Sequence, residues 1–407
     1  MSVSSMSRGT IRTSAALLPR AGIETRRAHA PGRLSSIDVL RGLVIVIMAL
    51  DHVRAYFTDV HFDPLDPTQT HTLLYLTRWI TNLCAPTFIM LAGVSAYLMS
   101  RRTTKTALTR SLVTRGLWLI ALECTVVTFA WTFSLRYEMG VILQVIWAIG
   151  VSMIVLGFLV RLPVMVVGAI GLAICAGHNL FDSVQPEVFG AGAWLWKLLH
   201  VKAGPTGPVF IYYPLVPWVG LMAVGYALGK VYDLDSARRT QLLVAFGGGA
   251  IALFFALRLI NGYGDPQPWV EQADFGRTLM AFFNVQKYPP SLDYLLATVG
   301  PGLLLLAWFE RVRGWLVGIL QTFGRVPLFF YVLHIALAHL AAGLLAMSMG
   351  FGTAVLGGFF LSFPPRWGVG LGGVYAAWLF VIATLYPACL WFADLKELRK
   401  DWWLYYL

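Results

Sequence analysis

Long apolar runs separated by short polar segments recur along almost the whole chain. In residues 141–160 only Gln144 is clearly polar, and a helix of that length crosses about 30 Å of hydrocarbon. The same pattern predicts about ten membrane-spanning helices, at residues 37–57, 77–99, 111–131, 141–160, 162–177, 212–229, 242–257, 294–309, 326–347 and 371–392. A further apolar stretch, residues 350–363, is short and rich in glycine. We expect it to be a re-entrant or interfacial segment.

Composition supports a protein whose solvent is largely lipid. Hydrophobic residues make up 58% of the 407 residues and charged residues 13%, against about 25% charged residues in soluble domains. Mean hydropathy is +0.69. These values exclude an ordinary soluble fold and exclude disorder for most of the chain.

Lysine and arginine predict the orientation. If the N-terminus is cytoplasmic, most of the 31 Lys and Arg residues fall on the cytoplasmic side, in segments such as 101–115, 230–239 and the loop 311–325. The sequence therefore predicts an all-α polytopic integral membrane protein, with both termini cytoplasmic, in the inner (plasma) membrane. The net charge of +11 follows from this asymmetry, so no nucleic-acid partner is expected.

The domain organisation is predicted to be simple. Residues 1–34 are rich in Ser and Arg and lack an apolar core, which indicates a disordered basic cytoplasmic tail. Residues 35–407 are expected to form a single transmembrane domain. The four cysteines, Cys84, Cys124, Cys175 and Cys389, all lie in predicted spans without CxxC spacing. We expect small packed side chains there and no metal site.

Charged and polar residues within a membrane span are costly and point to function. The first predicted span carries Asp51, His52 and Arg54 within one turn near its outer end. His52 lies sixteen residues beyond Ser36, about 24 Å along the helix. A snorkelling ion pair beside an interfacial histidine is the alternative explanation. The combination of acid, base and cation at membrane depth favours a functional site.

Other polar residues extend this candidate site. The second predicted span opens with Arg78 and contains Asn82 before a proline that bends the helix. In the loop before residue 294, Lys287 and Tyr288 precede two prolines and Ser291. Lys287 is either an interfacial anchor or a ligand for an anionic substrate group. Glu123 and His334 lie inside spans, where Glu123 needs a proton or a partner on another helix.

Several of these residues lie in motifs that resemble a known family. The motifs are SIDxLRG (36–42), MALDHVR (48–54), TRWITNLCAPTFIMLAG (77–93), FFNVQKYPPSLDYLL (282–296), GRVPLFFYVLH (324–334) and DWW (401–403). Together they resemble the bacterial DUF1624 membrane proteins, which are grouped with the catalytic domain of the heparan-alpha-glucosaminide N-acetyltransferases. The resemblance to the bacterial group covers residues 33–407.

The resemblance implies a transmembrane acyltransferase. Enzymes of the heparan family move an acetyl group from cytosolic acetyl-CoA to an amino sugar across the membrane, with an active histidine shortly before the second span. His71 is the residue at that position here. Acyl transfer needs a general base, for which His52, with Asp51 as its acidic neighbour, competes with His71. It also needs donors to the oxyanion, for which Asn82, Arg78 and Lys287 are candidates.

The expected substrates follow from the same resemblance. Acetyl-CoA or another acyl-CoA acts as co-substrate, and no bound cofactor is expected. Arg101, Arg102 and Lys105 are candidates for its phosphates, although they also fit the ordinary cytoplasmic charge bias. Arg54, Tyr288, Ser291 and His334 are expected to contact a sugar or glycan acceptor.

A second function class is also compatible with the sequence. Intramembrane His, Asp and Glu can relay protons in a small-molecule or proton-coupled transporter. However, no internal repeat typical of transporters is evident, and the polar residues cluster near one membrane surface. The lipid bilayer is the expected environment in either case. The sequence leaves the oligomeric state open and is compatible with a homodimer.

Overall fold

A computed structural model describes residues 35–135, 140–206, 209–357, 363–399, 401 and 403–404, and residues 203–206 only as backbone. The predicted tail, residues 1–34, lies outside the described part of the chain, as do portions of the 350–363 segment and of the DWW motif. Residues from Ser35 onward form one compact unit.

The described chain is mostly helical. Its α-helices are α1 (Ser35–Phe57), α2 (Thr72–Ile80), α3 (Cys84–Ser100), α4 (Lys105–Leu122), α5 (Thr128–Thr132), α6 (Val145–Leu159), α7 (Val164–Gly177), α8 (Ala193–His200), α9 (Val216–Leu228), α10 (Ser236–Ile260), α11 (Phe275–Phe283), α12 (Leu292–Phe309), α13 (Trp315–Arg325), α14 (Pro327–Ser348) and α15 (Leu371–Leu398). Short 3₁₀ turns lie at Thr81–Leu83, His178–Phe181, Pro186–Gly192, Gly229–Asp233 and Thr353–Leu356, and a π-helical turn at Glu123–Val127.

Each predicted span coincides with a helix in the structure. Among the described residues, seven helical segments are long and apolar enough to cross a membrane: Thr72–Ser100, Lys105–Thr132, Val164–Phe181, Ser236–Ile260, Leu292–Phe309, Pro327–Ser348 and Leu371–Leu398. The remaining three are α1, which carries charges at both ends, and the shorter helices α6 and α9. The chain is therefore a mostly helical membrane protein with seven candidate spans, and ten spans with cytoplasmic termini stay a prediction.

The described residues also include a small β-sheet beside the helices. Strands β1 (Val141–Leu143), β2 (Ala203–Thr206) and β3 (Val209–Ile211) form a small sheet in the order β1-β3-β2. β1 pairs parallel with β3, and β2 pairs antiparallel with it. Residues 141–143 therefore precede the helix that was predicted to contain them, because their backbone groups pair with β3.

Helix α1 packs against α3, α12, α13, α14 and α15. Its closest neighbour is α13, which lies within the segment 311–325 that was predicted as a loop. A Cβ added at Gly42 of α1 would lie 1.7 Å from the carbonyl oxygen of Leu320, and one at Gly324 would lie 1.7 Å from that of Asp38. Only glycine permits this approach of two helix backbones, and the contact fixes the position of α1.

Candidate functional site

A cavity of about 800 Å³ lies at the end of the helical bundle where α1 finishes. We call this end the cavity end. The cavity's walls come from α1, the loop that follows it, the start of α3, the β3–α9 connection and the segment before α12. Its polar lining includes Asp51, His52, Arg54, His61, Asp63, Arg78, Gln144, Lys202, Tyr212, Tyr213, Gln267, Gln286, Lys287 and Tyr288.

His52 forms a directed hydrogen bond with a second histidine behind it. The His52 Nδ1 atom is 2.8 Å from Nε2 of His334 on α14. The His334 Nδ1 atom is 3.0 Å from the Phe330 carbonyl oxygen, which can only accept. Nδ1 of a neutral His334 therefore carries its proton and donates to that oxygen. Its Nε2 then accepts from the Nδ1–H of His52. This order leaves the lone pair on His52 Nε2, as a general base requires.

The His52 ring is also fixed by aromatic contacts. Its ring packs nearly perpendicular to that of Trp131, with 4.9 Å between centroids, and lies nearly parallel to the His334 ring, with 5.0 Å between centroids. His334 is fully buried and is not among the cavity-lining residues. The structure therefore places His334 behind His52, rather than in contact with the cavity contents.

Asp51 lies between two arginines in the wall of the cavity. Its Oδ1 accepts a hydrogen bond of 3.0 Å from Arg54 and is 3.6 Å from Nε of Arg78. The neutralising Asp51–Arg54 pair expected from their spacing is present. Arg78 also donates to Thr81 and to Oδ1 of Asn82, each at 3.0 Å. Asn82 is buried behind Arg78 and does not line the cavity, so it orients the guanidinium.

The segment carrying Lys287 and Tyr288 is held by the half-buried Asp265 and the buried Arg258. The Asp265 Oδ2 atom accepts from the Gln286 N–H at 2.8 Å and from the Ser291 hydroxyl at 2.7 Å. Arg258 donates to the carbonyl oxygens of Phe282 and Asn284 at 2.8 and 3.0 Å. These contacts place the segment against the cavity.

Ser291 has a structural role in this segment. Its side chain caps α12 by accepting from the Tyr294 N–H at 3.0 Å, and the residue is fully buried outside the cavity lining. Ser291 therefore does not face the cavity. Lys287 and Tyr288, which precede the two prolines, line it.

Burial shifts the pKa values of the ionisable side chains in this segment. Burial, together with the nearby Arg78 charge, lowers the pKa of Lys287 to about 8. Lys287 is still mostly protonated at pH 7. Burial also raises the pKa of Tyr288 to about 12, so its hydroxyl stays neutral and can donate. Burial also lowers the pKa of Lys202, whose Nζ atom lies near the Tyr288 ring.

The cavity combines positive charge with aromatic walls. Among its described lining residues, Arg54, Arg78, Lys202 and Lys287 outnumber the carboxylates Asp51 and Asp63. The Lys202 Nζ atom lies over the rings of Tyr212 and Tyr288, 4.7 and 5.0 Å from their centroids. A cavity of this kind suits a polar ligand that carries negative charge and an apolar face.

Several predicted site residues lie away from the cavity. His71 is exposed and caps α2, where its Nδ1 accepts from the Leu74 N–H at 3.4 Å. Arg101, Arg102 and Lys105 are exposed at the opposite end of α3, about 25 Å from Cys84 by helix length. Arg101 pairs with Asp233, and Lys105 donates to the Arg161 carbonyl oxygen.

The structure adds cavity residues that the sequence analysis did not select. His61, Lys202, Tyr212 and Tyr213 line the cavity. The carbonyl oxygen of Leu143 in β1 accepts from the backbone N–H groups of Tyr212 and Tyr213, so the small sheet positions the two tyrosines. No local sequence signal marks them, because the pairing joins residues about seventy positions apart.

A comparison with family models finds a match over more than half of the chain. The model described as "Heparan-alpha-glucosaminide N-acetyltransferase, catalytic" matches residues 33–257, which run from the region just before α1 into α10. The matched stretch includes His52, Asp51, Arg54 and Arg78, whereas Lys287 and His334 follow it. A comparison with curated proteins gives no match. The relation to the catalytic domain of the heparan-alpha-glucosaminide N-acetyltransferases is thereby confirmed, while membership of the DUF1624 group stays a prediction.

Proposed function

The chain belongs to the heparan-alpha-glucosaminide N-acetyltransferase catalytic family, and we propose that it transfers an acetyl group from cytosolic acetyl-CoA to an extracytoplasmic sugar or glycan. Membership makes it an acetyltransferase-like membrane protein. The proposal of donor and acceptor rests on one observation, the cavity. His52 lies in its wall, is hydrogen-bonded to His334, and shares the cavity with several cationic side chains.

In this proposal His52 is the general base. Its Nε2 takes the proton from an acceptor hydroxyl or amine as that atom attacks the thioester carbonyl carbon. The acceptor–acetyl bond forms, the carbon–sulfur bond breaks, and coenzyme A leaves as a thiolate that receives the proton from His52. His334 supports both protonation states, because it accepts from Nδ1–H throughout. Such base catalysis contributes about 10²–10⁴-fold.

The oxyanion that develops on the thioester carbonyl needs positive charge or N–H donors nearby. Lys287 is the best candidate, because it lines the same cavity as His52 and is half-buried. Arg78 is the second candidate, with its orientation fixed by Asp51 and Asn82. In a site with little water, either cation stabilises the transition state more strongly than it would in solution.

The acceptor is proposed to be a sugar that carries an acidic group. The surplus of cationic side chains in the cavity favours an anion, and the Tyr212 and Tyr288 rings offer flat surfaces for the apolar face of a sugar ring. The cavity volume of about 800 Å³ lies within the range for small-molecule sites. A short segment of a longer glycan is therefore a suitable occupant.

The donor is proposed to bind from the opposite end of the bundle. Arg101, Arg102 and Lys105 are the candidates for the coenzyme A phosphates. In that arrangement the pantetheine arm extends along α3, so that the thioester reaches the cavity while the nucleotide stays at the cytoplasmic surface. The reaction would then move an acetyl group across the membrane, while neither substrate crosses it completely.

The proposal is tested with purified protein in liposomes loaded with radiolabelled acetyl-CoA. Acidic and neutral glycans are added outside, and labelled glycan is counted together with ion flux. The expected result is label on an external acidic glycan without coupled ion flux. Ion or solute flux without label would support the transporter alternative and contradict the transferase.

A further inference from the structure

Three potential metal ligands lie close together outside the cavity. His178 begins the 3₁₀ turn after α7, Asp182 follows that turn, and His200 ends α8. Their ligand atoms all lie within 4.8 Å of one another. None of the three lines the cavity, so the cluster is separate from the site described above.

Two of these ligands are already held in a fixed arrangement. The His200 Nε2 atom is 3.1 Å from Oδ1 of Asp182. The other carboxylate oxygen of Asp182 accepts from the Asn179 amide at 2.7 Å. Asn179 in turn accepts from the Leu292 N–H at 2.9 Å. The carboxylate therefore presents Oδ1 to the cluster, and its outer contacts fix its orientation, as is usual around metal ligands.

His178 is the least explained member of the cluster. The residue is only 3% exposed, and neither of its ring nitrogens has a hydrogen-bond partner among the described residues. The Pro290 backbone lies close to the ring, but neither ring nitrogen meets hydrogen-bond geometry with it. Buried polar groups are nearly always satisfied, and leaving one unsatisfied costs about 1–3 kcal/mol. A ligand bound between the three side chains would remove this cost.

We propose that His178, Asp182 and His200 bind a divalent transition-metal ion, best matched by Zn²⁺. Two imidazoles and one carboxylate are a donor set that zinc accepts, with a fourth position for water. At zinc bond lengths of about 2.0–2.2 Å, tetrahedral ligand atoms lie about 3.3 Å apart. The His200–Asp182 separation of 3.1 Å is close to that value. The His178 ring lies within 4.8 Å of the other two ligand atoms and supplies the third donor.

The position of the site indicates a structural role. Through Asn179 it is tied to Leu292 at the start of α12, immediately after the segment that carries Lys287 and Tyr288. A bound ion would therefore join the α7–α8 connection to the segment that lines the cavity. The sequence analysis expected no metal because it examined cysteine spacing, whereas His178 and Asp182 are four residues apart and His200 follows eighteen residues later.

The test uses the full-length protein, purified without a histidine tag and stripped with a chelator. Zn²⁺ is then added, excess ion is removed, and bound zinc is measured by mass spectrometry. The expected result is about one zinc per chain in the wild type. His178→Ala and His200→Ala should retain at least tenfold less. His71→Ala, which removes an exposed histidine outside the cluster, is the matched control and should retain wild-type zinc.

Two further measurements keep the proposal testable if the alanine variants fail to fold. Zn²⁺ should raise the Tm of the stripped wild type by several degrees and leave the Tm of Asp182→Asn unchanged. Co²⁺ should give the visible absorption of a tetrahedral complex in the wild type and not in Asp182→Asn. A stripped wild type that binds no zinc would overturn the proposal. Equal zinc in the cluster variants and in His71→Ala would also overturn it.

Discussion

His52 and His334 act as a directional pair because a backbone carbonyl determines where the protons lie. The Phe330 oxygen can only accept, so His334 donates to it and accepts from His52. A carboxylate often orients a catalytic histidine in this way. Here a neutral imidazole does so at a position that is fully buried, where an isolated carboxylate would be costly.

Lys287 should set the alkaline limit of activity. Burial and the Arg78 charge lower its pKa to about 8, so its positive charge is present below that pH and is lost as the pH rises through it. If Lys287 stabilises the oxyanion or an acidic acceptor, kcat/KM of the wild type should fall above about pH 8. Lys287→Arg should keep activity to higher pH, because arginine stays protonated.

The matched comparison is Lys287→Met, which should be weakly active at every pH. Full pH profiles of kcat/KM for the three proteins provide the measurement. If kcat/KM falls at the same alkaline pH in the wild type and in Lys287→Arg, the fall is caused by a group other than Lys287.

The sequence identifies the main site residues but not their partners. Asp51, His52 and Lys287 stand out because charge is costly among apolar neighbours, and all three line the cavity. The partnership of His52 with His334 spans 282 positions, and no local pattern encodes it. For the same reason the sequence does not show that Ser291 faces Asp265 instead of the cavity.

Glu123 links two helices that are separate in sequence. It starts the π-helical turn Glu123–Val127, and its Oε2 accepts from the Trp147 N–H at 2.8 Å, at the start of α6. The first N–H groups of a helix have no partner within the helix, so Glu123 satisfies one of them from another element. The sequence analysis left a proton or a partner on another helix as alternatives, and the structure provides a hydrogen bond from another helix.

Two substitutions at Glu123 should distinguish the contribution of its hydrogen bond to stability from that of its charge. Glu123→Gln keeps an oxygen that accepts from Trp147, and the folded fraction should be close to that of the wild type. Glu123→Ala leaves that N–H unsatisfied and should cost about 1–3 kcal/mol. Thermal unfolding in detergent measures both variants. A loss as large in Glu123→Gln as in Glu123→Ala would indicate that the charge is essential.

The contact of α1 with α13 should be intolerant of even one methyl group. In Gly42→Ala the Cβ would lie 1.7 Å from the Leu320 carbonyl oxygen, so the helices must separate, at a cost of about 1–3 kcal/mol or more. Gly248→Ala in α10 is the matched control, because nothing lies within 4 Å of its added Cβ. Its effect should be within about 1 kcal/mol of the wild type. Equal Tm values for the two variants would contradict this packing.

Elements with strong local signals were predictable, and those that depend on distant partners were not. Apolar runs of span length predicted a helix at every site where the structure has one of the long helices. α13 was missed because it has eleven residues and lies among basic residues. The sheet was missed because each strand has only three or four residues, too few for an alternating pattern.

At the scale of the whole molecule, the charge distribution predicts which end faces the cytoplasm. Reporter fusions at Arg102, Arg238 and the C-terminus should report a cytoplasmic location, because Lys and Arg concentrate at these segments. Fusions at Asp66, Pro205 and Asp274 should report an external location, at the cavity end. An external C-terminus would require an odd number of spans and would contradict the ten-span arrangement.

The most direct test of the account compares His52→Ala with His71→Ala in the acetyl-transfer assay with labelled acetyl-CoA. Both variants are first shown to be folded by their Tm. Because His52 lines the cavity and His71 caps α2 outside it, His52→Ala should lose about 10²–10⁴-fold in transfer rate, while His71→Ala should retain most activity. An inactive His71→Ala beside an active His52→Ala would contradict the assignment of His52 as the base.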